Sequence, residues 1–88
     1  MPIISSFYGV VIRMYSEPNS PHKLPHLHAE YQGEEAVYDF DGNVIEGQLP
    51  TAKARLVVAW ITIHQKSLAK NWKLLQNGKG FEKITPLQ

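Results

Sequence analysis

The chain has 88 residues, 43% of them hydrophobic and 19% charged, with no cysteine and a formal net charge of +1. Such a composition suits one packed domain and excludes a disordered chain, a disulfide scaffold, a thiolate zinc site and a cysteine nucleophile. The near-neutral charge argues against a broad basic surface that holds nucleic acid nonspecifically, while leaving room for local basic patches. At the start, "MPIISSFYG" has no basic segment leading into a long apolar run, and the most apolar window, 56–63, is far short of a membrane span. The expectation is one domain over 1–88, soluble and cytoplasmic, without membrane contact, and bacterial in size and style.

Residues 7–15, "FYGVVIRMY", are rich in β-branched and aromatic side chains and read as one strand. Tyr8, Val10, Ile12 and Met14 make its apolar face, and Phe7, Gly9, Val11, Arg13 and Tyr15 the other. Residues 16–25, "SEPNSPHKLP", carry three prolines and form a loop. Two further strands, 26–32 and 35–40, flank Gly33-Glu34, where a leading glycine suits a type II′ hairpin turn. This register sets Gln32 opposite Glu35 and pairs Tyr31 with Ala36, Ala29 with Tyr38 and Leu27 with Phe40. The opposite face then pairs Glu30 with Val37, His28 with Asp39 and His26 with Asp41. A turn at Asp41-Gly42 leads into a short strand over 43–46.

After the break at 47–50, Thr51 can cap a helix, and no Gly or Pro interrupts 52–64. Val57, Ile61, His64, Leu68, Trp72 and Leu75 recur at helical spacing, and Leu56, Trp60 and Ile63 widen the stripe. A single straight rod would leave much of that stripe uncovered, so two helical segments are expected, meeting near 65–67 with Ser67 as the second cap. Asn77-Gly78 ends the second. The tail "GFEKITPLQ" either adds a short edge strand or lies against the sheet through Phe81 and Ile84.

The fold class is therefore α+β: an antiparallel meander of about four strands, one face covered by two C-terminal helices. The covered face is Tyr8, Val10, Ile12, Met14, Leu27, Ala29, Tyr31, Tyr38 and Phe40. The open face carries Arg13, His26, His28, Glu30, Asp39 and Asp41.

Three chemistries compete for that open face. His26 and His28, two apart on a strand, point the same way and can ligate a divalent transition metal when a carboxylate such as Asp39 completes the set. Without metal, the two histidines can act as general base and acid, with Arg13 neutralising charge that develops on a phosphodiester. Glu30, Asp39 and Asp41 are then binding and orienting groups. The third reading is a solvated sheet face, whose His–Asp cross-strand pairs are modestly stabilising. A face built for solubility alone would favour Lys, Glu and Thr, and the preceding loop adds His22 and Lys23.

Elsewhere, His64 fits a partly buried histidine of the helix stripe, and Trp60 and Trp72 fit core or interface anchors. Lys53, Arg55, Lys66, Lys70 and Lys73 make the helical region basic, and Asn71 can add hydrogen bonds. A solvated helix face explains these most simply, with contact to RNA or an acidic partner as the minority reading.

The succession "GVVIRMY", "PHLHAEY" and "EGQLP", followed by a helix carrying Trp60, His64, Leu68, Asn71 and Trp72, resembles the small bacterial family called domain of unknown function 4160. The resemblance covers nearly the whole chain. It implies a compact cytoplasmic domain, often encoded beside another small protein in an arrangement suggestive of toxin–antitoxin pairs. It implies that Arg13, His26 and His28 belong to a shared pattern, and it brings no established activity. The lead into the histidine pair departs from the family by being longer and less acidic. The function expected is an interaction module of such a pair, contacting a neighbouring protein or RNA. The alternative is a small metal-dependent or histidine-based hydrolase or ribonuclease. Trp72 and an uncovered sheet edge make a homodimer reasonable.

Overall fold

The computed structural model describes residues 2–15 and 24–88. Five strands, β1 (Ile3–Phe7), β2 (Val10–Arg13), β3 (His26–Tyr31), β4 (Glu34–Asp39) and β5 (Val44–Gly47), precede helices α1 (Thr51–Ile63) and α2 (Gln65–Gln76). The strands form one antiparallel sheet in the order β1-β2-β3-β4-β5. The architecture is the expected α+β meander with one strand more. Most of the loop expected over 16–25, including His22 and Lys23, lies outside the described residues.

The extra strand arises because 7–15 is not continuous. Tyr8 (φ 49°) and Gly9 (φ 82°) both take positive φ, the pattern of a type I′ hairpin turn. β1 folds back on β2 through Phe7↔Val10 and Ser6↔Val11. Tyr8 is consequently an exposed turn residue and not part of the covered face. Phe7 takes its place in the core, its ring centroid 5.4 Å from that of Trp60.

The central hairpin also turns one residue earlier than expected. Gln32 (φ 46°) and Gly33 (φ 84°) form the loop, again with positive φ at both positions, so it is of the I′ kind and not II′. Moving the turn by one residue slips the pairing by two. His26 now faces Asp39, His28 faces Val37 and Glu30 faces Glu35. Because the slip is even, every side chain keeps its face, and Leu27↔Tyr38 and Ala29↔Ala36 still point into the core. The expected pairs His28–Asp39 and His26–Asp41 do not form.

Helices cover the face bearing Ile12, Leu27, Ala29, Ala36 and Tyr38, which join Val57, Trp60, Ile61, Leu68 and Leu75 in one core cluster. Thr51 is the first helical residue and Pro50 the N-cap, with no side-chain cap bond. The proline suits that place, where its missing N–H would have had no intrahelical partner. The break between helices falls at His64, whose N–H reaches both Trp60 and Ile61 carbonyls, so Ser67 lies inside α2 and caps nothing. Ile63, at the end of α1, faces solvent and is not part of the stripe.

The tail past α2 forms no strand, yet it is tied down. Ile84 is buried and donates its N–H to the Ile4 carbonyl on β1 (2.8 Å), while Phe81 stays exposed. Asn71, buried on α2, donates from Nδ2 to the Glu82 carbonyl (2.7 Å) and accepts the Glu82 N–H at Oδ1 (2.8 Å). Trp60 Nε1 donates to the Thr85 carbonyl at 2.9 Å.

Candidate functional site

The residues singled out by sequence gather where β2, β3 and β4 meet on the face turned away from the helix-covered core. Arg13 on β2 lies directly across from His28 on β3, and Val11 from Glu30. Strand pleating puts Arg13 and Glu30 diagonally on one face, and the Arg13 Nε donates to Glu30 Oε2 at 2.6 Å. Neither side chain is buried, so this is a charge-assisted bond at the surface.

His28 is the central member. Its side chain is only 13% exposed, with Nδ1 3.8 Å from Glu35 Oε2. Tyr15, just past β2, meets its ring edge-on with centroids 4.5 Å apart. Its other cross-strand neighbour, Val37, is buried and pairs onward to Glu46 on β5.

His26 departs from the expectation of an open-face residue, for it is 1% exposed. The reason is tertiary. Trp72 of α2 packs beside it with ring centroids 5.2 Å apart, and His28 lies 5.4 Å away. His26 Nδ1 donates to the Leu24 carbonyl at 2.7 Å, since a carbonyl can only accept. Tyr15, His28, His26, Trp72 and Phe40 thus form a continuous row of rings, running from the sheet face round its end to α2.

Asp39 is committed to the β4–β5 turn. Its Oδ1 accepts the N–H groups of Asp41 and Asn43, both at 2.9 Å, and Oδ2 accepts Asn43 Nδ2 at 3.1 Å. Desolvation pushes its pKa upward, but hydrogen bonds from Asn43, Asp41 and Gly42 outweigh that and hold it below the ordinary 3.8. Asp41 is exposed in the same turn and contributes its N–H, not its carboxylate, to this arrangement. Leu24, Pro25, Asp39, Phe40 and Asp41 line a shallow hollow of about 190 Å³ at this end of the sheet.

The metal set His26, His28 and Asp39 does not assemble. Among the described residues, no group of three or more His, Cys, Asp or Glu is placed to hold a metal ion. His28 and Asp39 do not form the expected base–orienter pair, because Asp39 faces His26 and spends its oxygens on turn N–H groups. Arg13, Glu30 and the two histidines are brought together; Asp39 is adjacent, and Asp41 stands apart.

Two members of the neighbourhood were missed from sequence. Glu35, assigned to a pairing with Gln32, is the carboxylate nearest His28. Tyr15 falls on this face in the sequence pattern, and an aromatic at the end of a strand whose neighbour carries histidines is the signal that marks it.

These elements define a small sheet-and-helix domain whose sheet face away from the helices carries an ion pair and a ring cluster. The chain belongs to the family described as Domain of unknown function (DUF4160), whose family model matches residues 9–73. No curated protein and no solved structure matches it. β1 and the C-terminal tail, which hold each other through Ile84 and Ile4, lie outside the matched stretch. Among the described residues no helix is long and apolar enough to cross a membrane.

Proposed function

We propose that this chain is a protein-interaction module of the bacterial cytoplasm, one half of a toxin–antitoxin-like pair, and that the face bearing Arg13, His28 and Glu30 contacts a small protein encoded nearby. The observation that carries this reading is the state of the polar groups on that face. Arg13 is bonded to Glu30, His26 is buried with Nδ1 on a carbonyl, and Asp39 organises a turn. Such a surface is pre-shaped for recognition, with rings and a fixed ion pair.

Charge favours protein over RNA. Among the described residues, Glu30, Glu35 and Glu46 share the face with Arg13, so carboxylates outnumber cations where a phosphate backbone would lie. Expression of the chain alone is expected to slow growth, and co-expression of the neighbouring protein to relieve it and yield a co-purifying complex. His28→Ala should weaken that complex while leaving the far-UV circular dichroism unchanged. A chain that neither slows growth nor retains a partner would sink the proposal.

A further inference from the structure

The two layers of this molecule carry opposite charge. Residues 24–52, which hold β3, β4 and β5, contain six acidic residues and no Lys or Arg. Residues 53–88, which hold most of α1, all of α2 and the tail, contain seven Lys and Arg residues and one acid, Glu82. Five of those cations, Lys66, Lys70, Lys73, Lys79 and Lys83, lie on α2 and the tail, and all five are exposed.

Local structure draws these five onto one side. At about 3.6 residues per turn, Lys66, Lys70 and Lys73 fall within about 60° of one another. Leu68, Asn71 and Leu75, all buried, mark the opposite side of α2. The tail then runs back along the helix. The Lys79 N–H donates to the Leu74 carbonyl (2.8 Å), and Glu82, held by Asn71, pairs with Lys70 at 3.0 Å. That course brings Lys79, Phe81 and Lys83 alongside the lysine stripe, with the Phe81 ring 41% exposed among them. The arrangement works against helix stability. Like charges three and four residues apart repel, and Lys66 sits in the first turn, where the helix dipole disfavours a cation. A surface made for solubility intersperses the two signs, whereas here one carboxylate serves five lysines.

We propose that this side of α2 and the tail binds single-stranded nucleic acid, with the lysines on successive phosphates and Phe81 stacked against a base. The cations here are all lysine, a point charge that meets phosphate from any direction, whereas planar pairing with the carboxylates of an acidic protein favours the arginine fork. An exposed ring between Lys79 and Lys83 offers a platform to a base and nothing comparable to an acidic peptide. Only an unpaired base can lie on that ring, which selects a single strand over a duplex. The acidic stretch 30–46 repels the same strand and confines it to the helical side. This inference concerns a different surface from the sheet face bearing Arg13, His28 and Glu30 and does not rest on that reading.

The test follows fluorescence anisotropy of labelled probes with the full chain: an oligouridylate of about twelve nucleotides, the same strand in duplex with its complement, and a polyglutamate peptide of equal charge. The single strand should bind roughly tenfold or more tightly than either of the others. Its log affinity should fall against log salt with a slope of about −3, the value for about four phosphate contacts. Lys66→Gln with Lys73→Gln should weaken binding about tenfold and flatten that slope by about 1.4, while Lys66→Arg with Lys73→Arg should bind like wild type. Phe81→Ser should weaken binding about tenfold with the slope unchanged, since stacking releases no counterions. Amide shifts in the ¹⁵N-labelled chain should centre on 66–73 and 79–83. Polyglutamate bound as tightly as the single strand would assign this side to an acidic protein and overturn the proposal. Duplex binding untouched by Phe81→Ser, glutamine variants that bind like wild type, or shifts centred elsewhere overturn it equally. No binding at about 0.15 M salt reduces the stripe to a solvated helix face and also overturns it. The sheet-face proposal stands or falls separately, on growth and on capture of the neighbouring protein.

Discussion

The two edges of this sheet are finished in opposite ways. At β1, the tail returns after α2: Ile84 bonds Ile4, Asn71 holds Glu82 from both sides, and Trp60 holds Thr85. At β5, four residues end in Gly47, with an apolar groove on one side and carboxylates on the other. An exposed edge invites unwanted pairing, and both coverage and like charge guard against it. The chain uses coverage at one edge and charge at the other. Coverage closes an edge to every partner, whereas charge closes it only to partners of the same sign.

Substitutions that act on one edge at a time sharpen this contrast. The largest effect is expected at Gly47, which has φ 73° and where an added Cβ would overlap the Glu35 carbonyl oxygen. Gly47→Ala should cost about 3 kcal/mol in urea unfolding, combining a left-handed backbone with a clash against β4. A loss under about 1 kcal/mol would mean that β5 is loosely held and already yields.

Next comes the clamp at the β1 edge. Asn71→Ala leaves the Glu82 N–H and carbonyl without their partner and should cost about 2 kcal/mol. Amide exchange at Ile84 should quicken as the tail loosens, while exchange in β4 stays as in wild type. Uniform acceleration across the sheet would show that the two edges are not independent.

The smallest effect concerns the turn into β5. Asp39 has its pKa held below 3.8 by the turn hydrogen bonds, so its ionised form favours the folded state. That contribution is present above the unfolded value and is lost as pH falls through the folded one. Asp39→Asn keeps an acceptor for the turn N–H groups and removes the titration. Thermal midpoints of wild type and variant should therefore converge below about pH 4, with wild type ahead at neutral pH. A gap that stays constant down to strong acid would contradict the assignment.

Much of this was legible in the residues themselves. The alternation Leu27, Ala29, Tyr31 against His26, His28, Glu30 survived an error in the turn, since the error was even and the pleat has period two. The 3.6-residue stripe found Val57, Ile61, Leu68 and Leu75, all buried. What misled was turn chemistry. Tyr8-Gly9 and Gln32-Gly33 place a bulky or long residue in a left-handed conformation normally taken by Asn or Gly, so neither announced itself as a I′ turn.

By itself the sequence determined the class of fold, which residues of β3 and β4 share a face, and the neighbourhood of Arg13, His28 and Glu30, because periodicity and local pairing are properties of short stretches. Tertiary structure alone decided that Trp72 buries His26, that Asn71 clamps the tail and that, among the described residues, β5 is the edge strand opposite β1. Those outcomes depend on which distant segments arrive at which strand, and such arrivals are set by packing the whole core rather than by any pattern within the segments that meet.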